Sequence, residues 1–169
     1  MRIEEAIKTA IDYETKIRDI YRDAADKVTD PAGKRFFKMM GDDEQFHIKY
    51  LTDRLNLWKK TGKLYAEKLE TTIPSIEVIR KETAKVKAYM SKEDLSSEKA
   101  ILSRALKAEV ETSNFYKKMV NELPDHGQKM FARFLEIEEN HIAAVQAELD
   151  YITHTGYWFD FKEFDMEEL

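Results

Sequence analysis

Apolar positions recur along this chain at alternating steps of three and four residues, the spacing of amphipathic helices rather than of strands. The first such run extends from about Ile3 to Val28 and stops at Asp30-Pro31. There Asp30 is placed to cap the next helix and Pro31 to occupy its first turn. The second run reaches about Lys60, with Gly62 as its C-terminal stop. A third begins between Ser91 and Glu98, where Ser91 and Asp94 are spaced like an acidic capping box, and ends at Leu123 because Pro124 follows. A fourth spans about His126 to Thr155 and closes at Gly156.

The links between these runs differ in length, and that difference predicts topology. Short turns join the first helix to the second and the third to the fourth, so each pair should form an antiparallel hairpin. The middle segment, about residues 63–91, is long enough to let the third helix run parallel to the second. Within it Ile76, Ile79, Thr83, Val86 and Met90 keep the helical step, so part of this crossover is itself expected to be helical. The prediction is an all-α four-helix bundle over residues 1–156 with one long crossover between helices two and three. An aromatic tail, 157–169, follows.

The two hairpins repeat one another. Ile7, Ala10, Glu14, Ile17, Tyr21, Ala24 and Val28 in the first helix return as Leu102, Ala105, Glu109, Thr112, Tyr116, Met119 and Leu123 in the third, at a constant offset of 95. Phe37, Met40, Glu44, His47, Leu51, Leu55 and Trp58 in the second return as Phe131, Phe134, Glu138, His141, Val145, Leu149 and Ile152 in the fourth, at an offset of 94. Such stripes face a core. Each carries one glutamate among apolar neighbours, and two carry a histidine three residues later.

Glutamate is almost never fully buried unless it is paired. Four glutamates facing one core would each lose hydration and would repel one another. Two divalent cations remove both costs, since four negative charges then meet four positive ones. Residues three apart on a helix share a face and lie about 4.5 Å apart along the axis, so Glu44 with His47, and Glu138 with His141, can reach the same ion. One Glu from each of two helices plus Glu-x-x-His from each of the other two is the di-metal carboxylate pattern. His126 and His154 fall outside it and read as surface residues. Phe36, Phe37, Phe46, Phe131 and Phe134 read as core packing.

Composition narrows the chemistry. The 169 residues are 36% charged and 43% hydrophobic with five Gly and three Pro, which suits long helices. A net charge of −5 argues against nucleic acid and anionic membrane as partners. Cysteine is absent, which excludes disulfides, thiolate nucleophiles and Cys-ligated zinc or iron–sulfur sites in this sequence. Acidic residues near Met1 stand where a signal peptide has its apolar run, and no stretch approaches about 18 consecutive apolar residues. A cytoplasmic location without membrane contact is expected.

At the residues quoted above, the chain resembles the rubrerythrin-like branch of the ferritin-like di-iron superfamily, over both hairpins. That resemblance implies two iron ions, with manganese or a mixed pair as alternatives. It implies that Glu44 and Glu138 bridge the metals, that Glu14 and Glu109 are terminal carboxylates, and that His47 and His141 are terminal nitrogen ligands. Tyr21 and Tyr116 resemble the family's tyrosines that hydrogen-bond those carboxylates and tune the metal. Two features depart from the family. Without Cys there is no rubredoxin iron site to deliver electrons, so an external electron donor is needed. The family's extra carboxylate, one turn after the third Glu, is replaced by Thr112, with Glu111 turned about 100° away.

The implied activity is an oxidoreductase that reduces dioxygen or hydrogen peroxide with ferrous iron. An iron-sequestering ferroxidase and a non-catalytic helical scaffold are the alternatives. The tail places Tyr157, Trp158, Phe159, Phe161, Phe164 and Met166 among acids, so it is expected to pack on the bundle or on a second subunit. A homodimer is the expected assembly.

Overall fold

The computed structural model describes residues 1–64, 67–84 and 95–161. These form five helices: α1 (Ile3–Lys27), α2 (Pro31–Thr61), α3 (Ile76–Ala84), α4 (Ser96–Glu122) and α5 (Asp125–Thr155). Most of the described residues are helical, and no strand occurs among them. None of the helices is long and apolar enough to cross a membrane.

Local chemistry sets the ends. The Asp30 carboxylate accepts hydrogen bonds from the backbone N–H groups of Ala32 and Gly33, satisfying two donors that α2 itself cannot. Gly62 and Gly156 end α2 and α5 with φ of 67° and 74°, the left-handed region that side chains resist. The predicted cap at Ser91 and Asp94 lies outside the described residues, and α4 begins at Ser96. α3 realises the middle helix over Ile76–Ala84, while Val86 and Met90 also lie outside.

Paired contacts give the directions of the helices. Arg18 meets Gln45 and Tyr21 meets Phe37, so α1 and α2 run antiparallel. Phe115 and Tyr116 meet Phe131, while Glu109 meets His141, so α4 and α5 do too. Tyr21 reaches Glu109 and Tyr116 reaches Glu14, which makes α1 antiparallel to α4. Tyr50 packs on Phe134 and His47 on His141, giving the same relation between α2 and α5.

The connector before α3 climbs back along α2 and α5. Tyr50 Oη donates to the Glu67 carbonyl, Arg133 Nε to the Leu69 carbonyl, and Thr71 Oγ1 to Asp43. Ile76 N then donates to Asn140 Oδ1. Leu69, Ile73 and Ile79 are buried along this path.

The core falls into two apolar clusters. One gathers Ile17, Tyr21, Phe36, Phe37, Met40, Leu102, Val145 and Ile152; the other gathers Ile7, Leu51, Tyr116, Met119, Phe131 and Phe134. A layer of buried carboxylates and imidazoles lies between them. Trp158, Phe159 and Phe161 of the tail pack on the first cluster, Trp158 against Phe36 and Phe37, while Phe164 and Met166 lie outside the described residues. One aromatic expectation is corrected: Phe46 is 50% exposed and takes no part in the core. Its position, two residues after Glu44, turns it about 200° from the core-facing stripe.

Candidate metal centre

Helices α1, α2, α4 and α5 each deliver one glutamate to the same layer. Glu14, Glu44, His47, Glu109, Glu138 and His141 are all 0% exposed. Glu44 lies between the two imidazoles: its Oε2 is 3.1 Å from His47 Nδ1 and its Oε1 is 2.8 Å from His141 Nδ1. Glu138 Oε1 is 3.8 Å from both of those nitrogens. Glu14 Oε2 lies 3.2 Å from His47 Nδ1, and Glu109 Oε1 lies 3.4 Å from His141 Nδ1. The rings of His47 and His141 stack at 5.3 Å with 12° between their planes.

The tyrosines cross over between hairpins. Tyr21 of α1 donates its hydroxyl to Glu109 of α4, and Tyr116 of α4 donates to Glu14 of α1. Seven residues are about two helical turns, and α1 and α4 are antiparallel, so each tyrosine stands level with the other helix's glutamate. Both tyrosines are 0% exposed. Burial, reinforced by the facing glutamates, pushes both phenols well above their ordinary pKa, so they remain donors.

Charge in this layer is divided unevenly. Burial, followed by repulsion from Glu14, pushes the Glu44 carboxyl well up; burial, followed by Glu109, Glu44 and Glu14, does the same to Glu138. Burial also opposes ionisation of Glu14 and Glu109, but His47, Glu44 and Tyr116 outweigh it at Glu14, and His141, Glu138 and Tyr21 at Glu109, leaving both lowered. At the imidazoles burial works against the charge, yet the surrounding carboxylates prevail and hold both His47 and His141 well above their usual value.

Asp43 was not singled out by the sequence pattern. It is 4% exposed, with its Oδ2 2.8 Å from His141 Nε2 and 3.3 Å from His47 Nε2. It thus backs both rings on the side away from the glutamates, the outer-shell role that fixes an imidazole's orientation. Burial raises its pKa, but the two imidazoles outweigh that and hold it well below the usual carboxylate range. The available signal was an acid four residues before His47, on the same helix face. The repeat concealed it, because the matching position in α5 is Ile137. Glu148, also 0% exposed, was missed too; its Oε2 accepts from Phe159 N at 3.0 Å. His126 and His154 are exposed.

Among the described residues three groups could hold a metal ion: the trio Asp43, His47 and His141, and two four-membered sets, Glu14, Glu44, His47 and Glu138, and Glu44, Glu109, Glu138 and His141. Within each group the candidate ligand atoms lie within 4.8 Å of one another, and the two four-membered sets share Glu44 and Glu138. Both oxygens of Glu138 and Oε2 of Glu109 are buried without a hydrogen-bond partner. A buried acceptor left in this way is costly, and a cation is a partner these atoms fit. Comparison with protein-family models, curated proteins and solved structures found no match.

Proposed function

We propose that the chain is a ferritin-like four-helix bundle, of the rubrerythrin-like kind, with one crossover between α2 and α4. It holds two metal ions, as iron, and reduces dioxygen or hydrogen peroxide. The observation that carries this reading is the pair of four-ligand sets sharing two carboxylates in a layer closed to solvent. In this reading Glu14 and His47 serve one ion, Glu109 and His141 the other, and Glu44 and Glu138 serve both. Carboxylate and imidazole suit iron and manganese, and the absence of Cys leaves no thiolate to favour softer metals.

Two ferrous ions held by these residues would supply two electrons, enough to convert hydrogen peroxide and two protons into two waters. The protein's own groups do the rest. Asp43 hydrogen-bonds His141 through Nε2 and stands beside Nε2 of His47, with Nδ1 of each ring among the glutamate carboxylates. Tyr21 and Tyr116 hold Oε1 of Glu109 and of Glu14, which fixes both carboxylates beside the imidazoles. The flanking apolar clusters exclude bulk water and strengthen every charge interaction in the layer. Electrons for further turnover come from an external donor.

The test is direct. The metal-free chain is loaded anaerobically with two equivalents of ferrous iron and mixed with oxygen or peroxide in a stopped-flow instrument. Oxidation stoichiometric with the chain, and faster than that of free ferrous iron, is expected. Oxidation at the rate of the free ion rejects the activity.

A further inference from the structure

All six groups of the proposed centre are wholly buried, so a cation must pass another side chain before it meets any of them. On one face that side chain is Asp43. Inward, its Oδ2 lies against the Nε2 atoms of His141 and His47. Outward, it lines a surface depression of about 210 Å3 together with Asp42, Phe46, Glu70, Thr71 and Thr72. Asp42 and Glu70 are exposed carboxylates, and the half-exposed Phe46 forms part of the same wall.

A second observation comes from inside the protein. His47 Nε2 is buried and stands 3.3 Å from Asp43 Oδ2 without the alignment of a hydrogen bond. Asp43, His47 and His141 bring ligand atoms within 4.8 Å of one another. The chain of groups from surface to centre is therefore Asp42 and Glu70, then Asp43, then the two imidazoles.

We propose that this depression admits divalent cations to the centre, Asp43 receiving each ion from the surface carboxylates and passing it to His47 and His141. The inference rests on the di-metal reading above. Asp43 is held from outside by neutral donors: Thr71 Oγ1 at 2.8 Å, Thr72 N at 3.2 Å and Thr72 Oγ1 at 3.4 Å. A doubly charged ion binds a carboxylate more strongly than a hydroxyl does, so its arrival displaces Thr71 and loosens the connector there. Asp42 also pairs with Lys38 at 2.8 Å, an exposed bridge of the kind that holds weakly against a competing cation.

The experiment follows Co2+ uptake by the metal-free full chain, using the absorption of bound cobalt, at low and high salt. Asp42→Asn/Glu70→Gln is compared with wild type and with Asp12→Asn/Asp26→Asn, which removes the same charge from exposed positions on α1. Steering by surface charge changes association rates by about ten-fold or more, so a loss of about three- to ten-fold at low salt is expected for the first variant alone. That difference should shrink at high salt, with the final cobalt per chain unchanged. Uptake at the wild-type rate, or a loss equal to that of the α1 variant, overturns the route but leaves the centre standing. A wild-type chain that takes up no cobalt overturns both.

Discussion

Glu138→Leu separates a metal ligand from a structural carboxylate, because the two predict opposite signs. Glu138 is 0% exposed and neither of its oxygens has a hydrogen-bond partner. Leaving a buried acceptor unsatisfied costs about 1–3 kcal/mol. Replacing such an unpartnered carboxyl with an apolar group of similar bulk removes that cost. In chelator, therefore, the variant should be more stable than wild type by about 1–3 kcal/mol. For a chain of this size that is about 2–12 °C in melting temperature.

Adding Mn2+ should reverse the order. A cation at one hundred times its Kd stabilises the folded state by about 2.7 kcal/mol per site. Wild type should gain that, whereas the variant lacks a carboxylate common to both ligand sets and should gain little. Melting curves by circular dichroism, with chelator and with Mn2+, provide all four values. A variant less stable than wild type in chelator, or one that gains as much from Mn2+, would refute the reasoning.

Three further outcomes are expected. Tyr21→Phe and Tyr116→Phe should each weaken cobalt affinity by about 10–100-fold, since each removes the donor that orients a ligand carboxylate; unchanged titration curves would count against that role. Asp43→Asn keeps bulk but loses the charge facing both Nε2 atoms, so metal affinity should fall by a similar order, about 10–100-fold, in equilibrium dialysis. Glu148→Gln should raise the melting temperature at pH 8. Burial lifts the Glu148 carboxyl well above its unfolded value, with Asp160 and Asp30 adding to that against the Phe159 N–H. Its contribution to stability is thus complete below the unfolded pKa and lost as pH rises through the folded one. Variant and wild type should converge near pH 4, and a gap that widens toward acid would show the sign to be wrong.

Much of this architecture was legible in the chain as written. Helix periodicity, the Asp30-Pro31 start and the glycine stops are local properties: each depends on groups within a few residues, and the ends of α1, α2 and α5 fall within a residue or so of where those signals stand. Burial of the six polar positions was legible too, since each lies on a stripe whose other members are apolar. Phe46 stands outside the core because its angle on α2, not its aromatic character, decides its burial.

What folding alone decided are relations between helices, which no spacing within one helix contains. Tyr21 and Tyr116 keep the same seven-residue step from their own glutamates, yet each bonds the glutamate of the opposite hairpin, because α1 and α4 run antiparallel. Asp43 became a partner of His141 only when α2 and α5 were brought face to face, and a partner of Thr71 and Thr72 only when the connector returned along α2. Glu148 is buried because the tail lays Phe159 over it. Periodicity reports which face of a helix avoids water; the identity of the group waiting across the gap depends on packing, and packing joins residues far apart in the chain.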